Sequence, residues 1–144
     1  MTTITLPAFS NEPLSDFSDP NANVHERIQD ALDVIRGSIL GEKVPMVMHG
    51  MDISTREFFT RENPADFSEI IARVCLAHKV DVNQAIGIIQ DSSKARKWTR
   101  ASFEERALHL RAVAQKFREK RFFFIALVML ETRKSTPEAD AEIS

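Results

Sequence analysis

The residues of this chain able to do chemistry are few and scattered. Cys75 is the only cysteine, and His78 follows it by three positions. A nucleophilic thiol needs a depressed pKa and a base held against it. The segment around Cys75 is expected to be a strand, where successive side chains point to opposite faces, so Cys75 is read as a buried structural residue. His25, His49, His78 and His109 show no HxxxH, HExxH or Cys/His spacing, so no metal site is expected. Gly37, Gly41, Gly50 and Gly87 build neither GxGxxG nor GxxxxGK, the patterns that cradle phosphates at a helix N-terminus. No catalytic, cofactor-binding or metal residue can therefore be assigned in the chain itself.

Charge is distributed unevenly around this sparse set. The net charge is -2, yet residues 94–134 hold 12 basic and 4 acidic residues, which leaves the other segments strongly acidic. Lys94, Arg96, Lys97, Arg100, Arg118, Lys120 and Arg121 would suit a nucleic acid. Their aromatic neighbours Phe117 and 122–124 are spaced for a buried helix and not for a stacking platform. A solvated helical face is the expectation, and nucleic acid is disfavoured as a partner.

The elements that would position these residues follow from periodicity. Residues 1–18 read as an extended arm, broken by Pro7 and Pro13 and anchored by Phe9, Leu14 and Phe17. A helix should begin at Asp19-Pro20, with aspartate as cap and proline first, and end at Gly41. Val24, Ile28, Ala31, Leu32, Ile35 and Ile39 line one face of it. Residues 44–75 are β-compatible, with turns at His49-Gly50 and Asn63-Pro64. Their short connections point to an antiparallel ribbon of three or four strands. Asp81 should cap a helix carrying Val82, Ala85, Ile86 and Ile89 and reaching Trp98.

The next helix opens on Ser102-Phe-Glu-Glu105, a capping box in which serine and glutamate satisfy each other's free amides. Phe103, Ala107, Leu110, Ala114 and Phe117 are its apolar stripe. After a basic break at 118–121, residues 122–130 are apolar on every side, as a helix buried among others would be. A last helix should follow Thr136 as cap, with Pro137 first. The fold class is thus α+β, mostly helical with a small antiparallel ribbon at about residues 44–75. The organisation is an arm at 1–18 and one unit at 19–144.

Compartment is bounded more loosely. The first twenty residues lack a basic region followed by an apolar run, and the longest apolar stretch is far short of the roughly 20 residues that cross a bilayer. A lone cysteine suits a reducing environment. A cytoplasmic protein without a membrane partner is expected.

The order of these motifs resembles the early part of the aldehyde dehydrogenase superfamily. The match runs from Trp98 through Glu104-Glu105-Arg106-Ala107, Leu110, Ala114 and Arg121. It continues through Glu131-Thr132-Arg133-Lys134 and Glu138-Ala139-Asp140-Ala141-Glu142. Asn63-Pro64-Ala65 and Glu69-Ile70-Ile71 match the family's N-P-A and the strand after it. Asn11-Glu12-Pro13 with Phe17, and residues 45–50, are similar to the Δ1-pyrroline-5-carboxylate (glutamate semialdehyde) dehydrogenases. The resemblance implies an incomplete N-terminal piece of the family's α/β fold, lacking the nucleotide-binding core and the catalytic domain.

In a complete member the implied reaction is NAD-dependent oxidation of glutamate semialdehyde to glutamate in proline catabolism, through a cysteine thiolate. The family's NAD glycines, base glutamate and nucleophilic cysteine all lie beyond the matching region, so no cofactor is expected for this chain alone. The implied reading is a truncated or split dehydrogenase segment, inactive alone, with a complementing dehydrogenase chain or a second copy as partner. The alternative is a non-catalytic interaction or oligomerisation module. Three departures stand out: His49, Ala72 and Arg133 replace glycines of the family pattern, which suggests relaxed backbone demands.

Overall fold

The structure is a computed structural model describing residues 10–55, 57–91 and 93–144, with side chains for these apart from residues 91–95. Pro7 and Phe9, the expected breaker and anchor of the arm, lie outside the described residues. Eleven elements follow in order. They are α1 (Val24–Ser38), β1 (Lys43–Val44), β2 (Met46–Met48), β3 (Met51–Ile53), β4 (Phe58–Asn63), β5 (Asp66–Cys75), α2 (Lys79–Asp91), α3 (Ser93–Arg100), α4 (Phe103–Glu119), α5 (Arg121–Thr132) and α6 (Thr136–Ile143).

The centre of the molecule is α5. None of its apolar residues 122–130 is exposed, and Ile125 and Ala126 are completely buried. One side of α5 packs Ile125 with Val24 and Ile28 of α1 and Ala139 of α6. The adjacent side packs Ala126 and Leu130 with Ile35 of α1 and Ile71 of β5. Burying each such aliphatic side chain contributes about 1.5–3 kcal/mol. The all-round apolar pattern is therefore used on several faces at once, as its sequence requires.

Helix α1 starts at Val24, later than the Asp19-Pro20 expected. Asp19 instead closes a turn: its carboxylate accepts from Asn21 N at 2.9 Å and its carbonyl from Ala22 N at 3.2 Å. Proline at position 20 and this local side-chain bond favour the turn over another helical one. The buried face Val24, Ile28 and Ile35 is the one anticipated. The chain leaves α1 through Gly41 at φ 77°, whose amide donates to Ile71 O at 3.0 Å and so ties the helix exit to β5.

The strands are where expected, but not all of them are antiparallel. β4 and β5 pair antiparallel, and β2 and β3 form a separate antiparallel hairpin. β1 lies parallel to β5, Lys43 opposite Arg73 and Val44 opposite Val74, giving the order β1-β5-β4. The crossover is long enough because the β2–β3 hairpin and β4 lie between the two strands. His49 and Gly50, at φ 55° and 77°, make the tight turn of that hairpin.

The expected helix from Asp81 to Trp98 corresponds to α2 and α3, between which residue 92 lies outside the described residues. Asp81 lies inside the first turn of α2, where its carboxylate accepts from His78 N at 2.8 Å. Helix α4 carries the predicted capping box: Ser102 Oγ accepts from Glu105 N at 3.1 Å, and Glu105 accepts from Ser102 N at 2.7 Å. At α6 the cap is Ser135, one residue earlier than Thr136, and Glu138 accepts from both its amide and its hydroxyl. No helix of the described residues is long and apolar enough to cross a membrane.

Candidate functional site

Cys75 ends β5 on the face of Ile71 and is buried. Its sulfur is held by Thr55, whose amide donates to Sγ at 2.9 Å and whose hydroxyl lies 2.9 Å away. These bonds hold the thiol below its ordinary value, the Thr55 hydroxyl contributing most. A depressed thiol alone does not make a nucleophile, because the base is missing. His78 turns instead to Glu57, Nε2 to Oε2 at 3.5 Å. Cys75 therefore sits as the buried strand residue that its sequence context predicts.

The other imidazoles go separate ways. His25 packs against Phe17, His49 occupies the hairpin turn, and His109 meets Trp98 edge-on at 6.0 Å while its Nδ1 lies 2.8 Å from Glu105 O. Among the described residues no group of three or more His, Cys, Asp and Glu side chains is placed to hold a metal. The glycines do not fit the pyrophosphate of a dinucleotide either. Gly37 and Gly87 lie inside α1 and α2, Gly41 is at the exit of α1, and Gly50 turns a hairpin. None opens a helix after a strand, which is where backbone amides converge on phosphate.

Two polar clusters do converge, and both tie elements together. The first is centred on Asp140, a fully buried carboxylate in α6. It accepts from Ser15 N at 2.6 Å, Ser15 Oγ at 3.1 Å and Arg121 Nε at 2.8 Å. Arg121 also donates to Ser144 Oγ at 2.7 Å. Glu12 adds a second anchor for the arm through Arg118. A buried carboxylate is tolerable only when its lone pairs are filled in this way.

The second cluster links α1 to the β4–β5 turn. Glu69 accepts from Arg36 Nε at 2.8 Å and from the buried Asn63 side chain, whose Oδ1 in turn accepts from Ala65 N at 2.8 Å. The Arg36 guanidinium, then Asn63, hold the Glu69 carboxyl below its usual range. These contacts give Asn63-Pro64-Ala65 a physical role: asparagine folds the turn and fixes the glutamate that grips α1. Sequence reading placed the turn but not the carboxylate, since the partners Ser15 of Asp140 and Arg36 of Glu69 lie far along the chain.

A concavity of about 750 Å³ lies where α3 meets α4 and is lined by Arg96, Lys97, Trp98, Arg100, Glu105 and His109. Its walls are exposed, and Glu105 is committed to the cap of α4. It brings together no nucleophile and base.

Comparison with known proteins supplies what the site chemistry does not. The sequence pattern of the aldehyde dehydrogenase family matches residues 51–144. The 1-pyrroline-5-carboxylate dehydrogenase 2 of Bacillus subtilis is 36% identical over 140 residues, which are 96% of this chain and 26% of that protein. The 1-pyrroline-5-carboxylate dehydrogenase of Staphylococcus haemolyticus is 38% identical over 132 residues, 91% of this chain and 24% of that one. A solved structure of the 1-pyrroline-5-carboxylate dehydrogenase from Thermus with bound NAD superposes with a TM-score of 0.84 at 26% identity, covering 97% of this chain and 26% of the other. The chain thus spans about a quarter of the length of these relatives.

Proposed function

This chain belongs to the aldehyde dehydrogenase family, and from that premise we propose that it is a framework segment of a 1-pyrroline-5-carboxylate-type dehydrogenase, inactive alone. The complete reaction would be NAD-dependent oxidation of glutamate semialdehyde to glutamate. A polypeptide supplying the remaining three-quarters of the relatives' length would provide the nucleophile, the base and the dinucleotide site. The observation that carries this reading is the coverage: nearly the whole chain aligns, at 36% identity, with only 26% of a dehydrogenase. The internal geometry agrees with it. The convergent polar groups, Asp140 with Arg121 and Glu69 with Arg36, join elements of the scaffold and face no cavity that brings a nucleophile and a base together.

The test is an NADH-formation assay with 1-pyrroline-5-carboxylate. The chain alone should give no turnover, whereas co-expression with a relative lacking its N-terminal quarter should restore it. Turnover by the purified chain without a partner would overturn the proposal. A second reading, a self-associating module, is favoured by the apolar residues exposed on α2 and α4. Light scattering after size exclusion separates the two: self-association predicts a concentration-dependent dimer or larger species, and the framework reading does not require one.

A further inference from the structure

The concavity between α3 and α4 gathers two kinds of side chain that recognise the same class of small molecule. Its 750 Å³ lies within the range of small-molecule sites, about 300–1,000 Å³. Arg96 and Arg100 stand four residues apart on α3 and so share a face, with Lys97 beside them. All three are exposed and line the concavity, and none makes an ion pair with a described acidic residue. Glu105, the carboxylate on the same wall, is drawn to the Ser102 amide at 2.7 Å. Three cations against one carboxylate leave the lining positive.

The second kind is aromatic. Trp98 meets His109 edge-on, with ring centres 6.0 Å apart, and is still 46% exposed. His109 is itself braced, because its Nδ1 lies 2.8 Å from Glu105 O and a carbonyl can only accept, so Nδ1 carries the proton. The indole is thus held in place before any ligand arrives, which lowers the ordering cost of stacking on it. Lys97 and Arg100 are in the last turn of α3, where the helix dipole favours positive charge. The dipole accounts for their sign but not for the indole and imidazole that line the same concavity.

We infer that this concavity binds a nucleoside monophosphate, its base stacked on Trp98 and its phosphate held between Arg96 and Arg100. Guanidinium groups match phosphate oxygens in pairs, and an exposed indole offers the stacking face that a base requires. A single nucleotide fits better than a nucleic-acid strand, which would need a basic track leading out of the concavity. Arg118 and Arg121, which the sequence groups with these cations, are instead paired with Glu12 and Asp140. The site uses none of the contacts that join the scaffold and is independent of the framework reading.

The chain has one tryptophan, so its intrinsic indole fluorescence reports on this site alone. Titrating the purified chain with AMP should quench it saturably, with a dissociation constant on the order of 0.1–1 mM. Adenosine, which lacks the phosphate, and inorganic phosphate, which lacks the ring, should each bind at least about tenfold more weakly. Equilibrium dialysis with labelled AMP extends the measurement to variants. Trp98→Ala and the double change Arg96→Gln with Arg100→Gln should each weaken binding about tenfold or more, whereas Lys79→Gln on α2 should leave it unchanged. Every substituted residue is exposed, so circular dichroism and the thermal midpoint should match the parent and separate lost binding from lost folding. No saturable quenching at millimolar AMP would overturn the site, as would unchanged binding by the Trp98 or double-arginine variant. Inorganic phosphate binding as tightly as AMP would remove the ring from the recognition and overturn it equally. Affinity that climbs with each nucleotide added to an oligoadenylate would overturn the assignment to a free nucleotide. None of these results bears on restored turnover in the co-expression assay, so the two readings fail separately.

Discussion

Two halves of the helical structure make opposite use of similar sequence patterns. Helices α1, α5 and α6 close on one another and on β5, with Ile35, Ile125, Ala126 and Ala139 fully buried. Helices α2 and α4 have stripes of comparable apolar residues and bury none of them among the described side chains. Periodicity reports which face of a helix is meant to be covered; it says nothing about whether the cover is in the same chain. The polar groups follow the same division. Buried Asp140 sits in the first half and holds the arm, whereas the cations of α3 stand in solvent.

Four sets of substitutions would break or sharpen that contrast. The largest loss is expected for Asp140→Ala, which leaves the Arg121 guanidinium, only 16% exposed, without its carboxylate. Removing one partner of a buried pair typically costs about 3–5 kcal/mol, read as a drop in the urea midpoint, with earlier proteolysis of the arm. Next, Ile125→Ala should cost about 2–5 kcal/mol through the cavity it leaves. The matched change Leu110→Ala in the exposed half should stay within about 0.5 kcal/mol. Equal losses at the two sites would abolish the distinction between the halves.

The third set concerns backbone and not packing. His49 and Arg133 hold φ of 55° and 59°, a left-handed conformation that costs a residue with a Cβ about 1–2 kcal/mol. His49→Gly and Arg133→Gly should each stabilise the chain by about 1 kcal/mol after the extra entropy of glycine is counted. Thermal unfolding of both variants checks this. Ala72→Gly should bring no such gain, since Ala72 lies in β5 in extended pairing with Arg61.

The smallest effect is a pH dependence. Glu69, only 18% exposed, is held below its ordinary carboxyl value of 4.5 by Arg36 and Asn63. Its stabilising contribution is present above the unfolded value and is lost as pH falls through the folded one. With Arg36 half exposed, the bridge is worth up to about 1 kcal/mol. Glu69→Gln should therefore flatten the acid limb of the stability profile below about pH 4.5 and leave the profile above neutrality parallel to the parent.

Much of this was legible in the residues. The stripe Val24, Ile28 and Ile35, the all-apolar 122–130 run and the Ser102–Glu105 box each express a local rule, and each stands where it was expected. Local rules competed at Asp19-Pro20, where an aspartate turn won over a helix cap, and at Ser135, where a second S-x-x-E box moved the start of α6 by one residue. What was not legible depends on distance along the chain. The parallel pairing of β1 with β5 joins strands separated by a hairpin and β4, and the burial of Asp140 depends on Ser15. The family motifs were readable for the same reason as the caps: they are contiguous. The replaced glycines were read as signs of relaxed backbone demands. For His49 and Arg133 the demand remains, and the chain meets it at a cost.

The contact between Ser15 and Asp140 spans 125 residues, so it also dictates an order of events. During synthesis Ser15 emerges and then waits, since its receptor is made 125 residues later. Closing so wide a loop costs entropy that local contacts cannot repay in advance. The segment around Ser15 is therefore made well before its receptor and placed only after it. Until Asp140 and Arg121 are both present, Ser15 has nothing to hold.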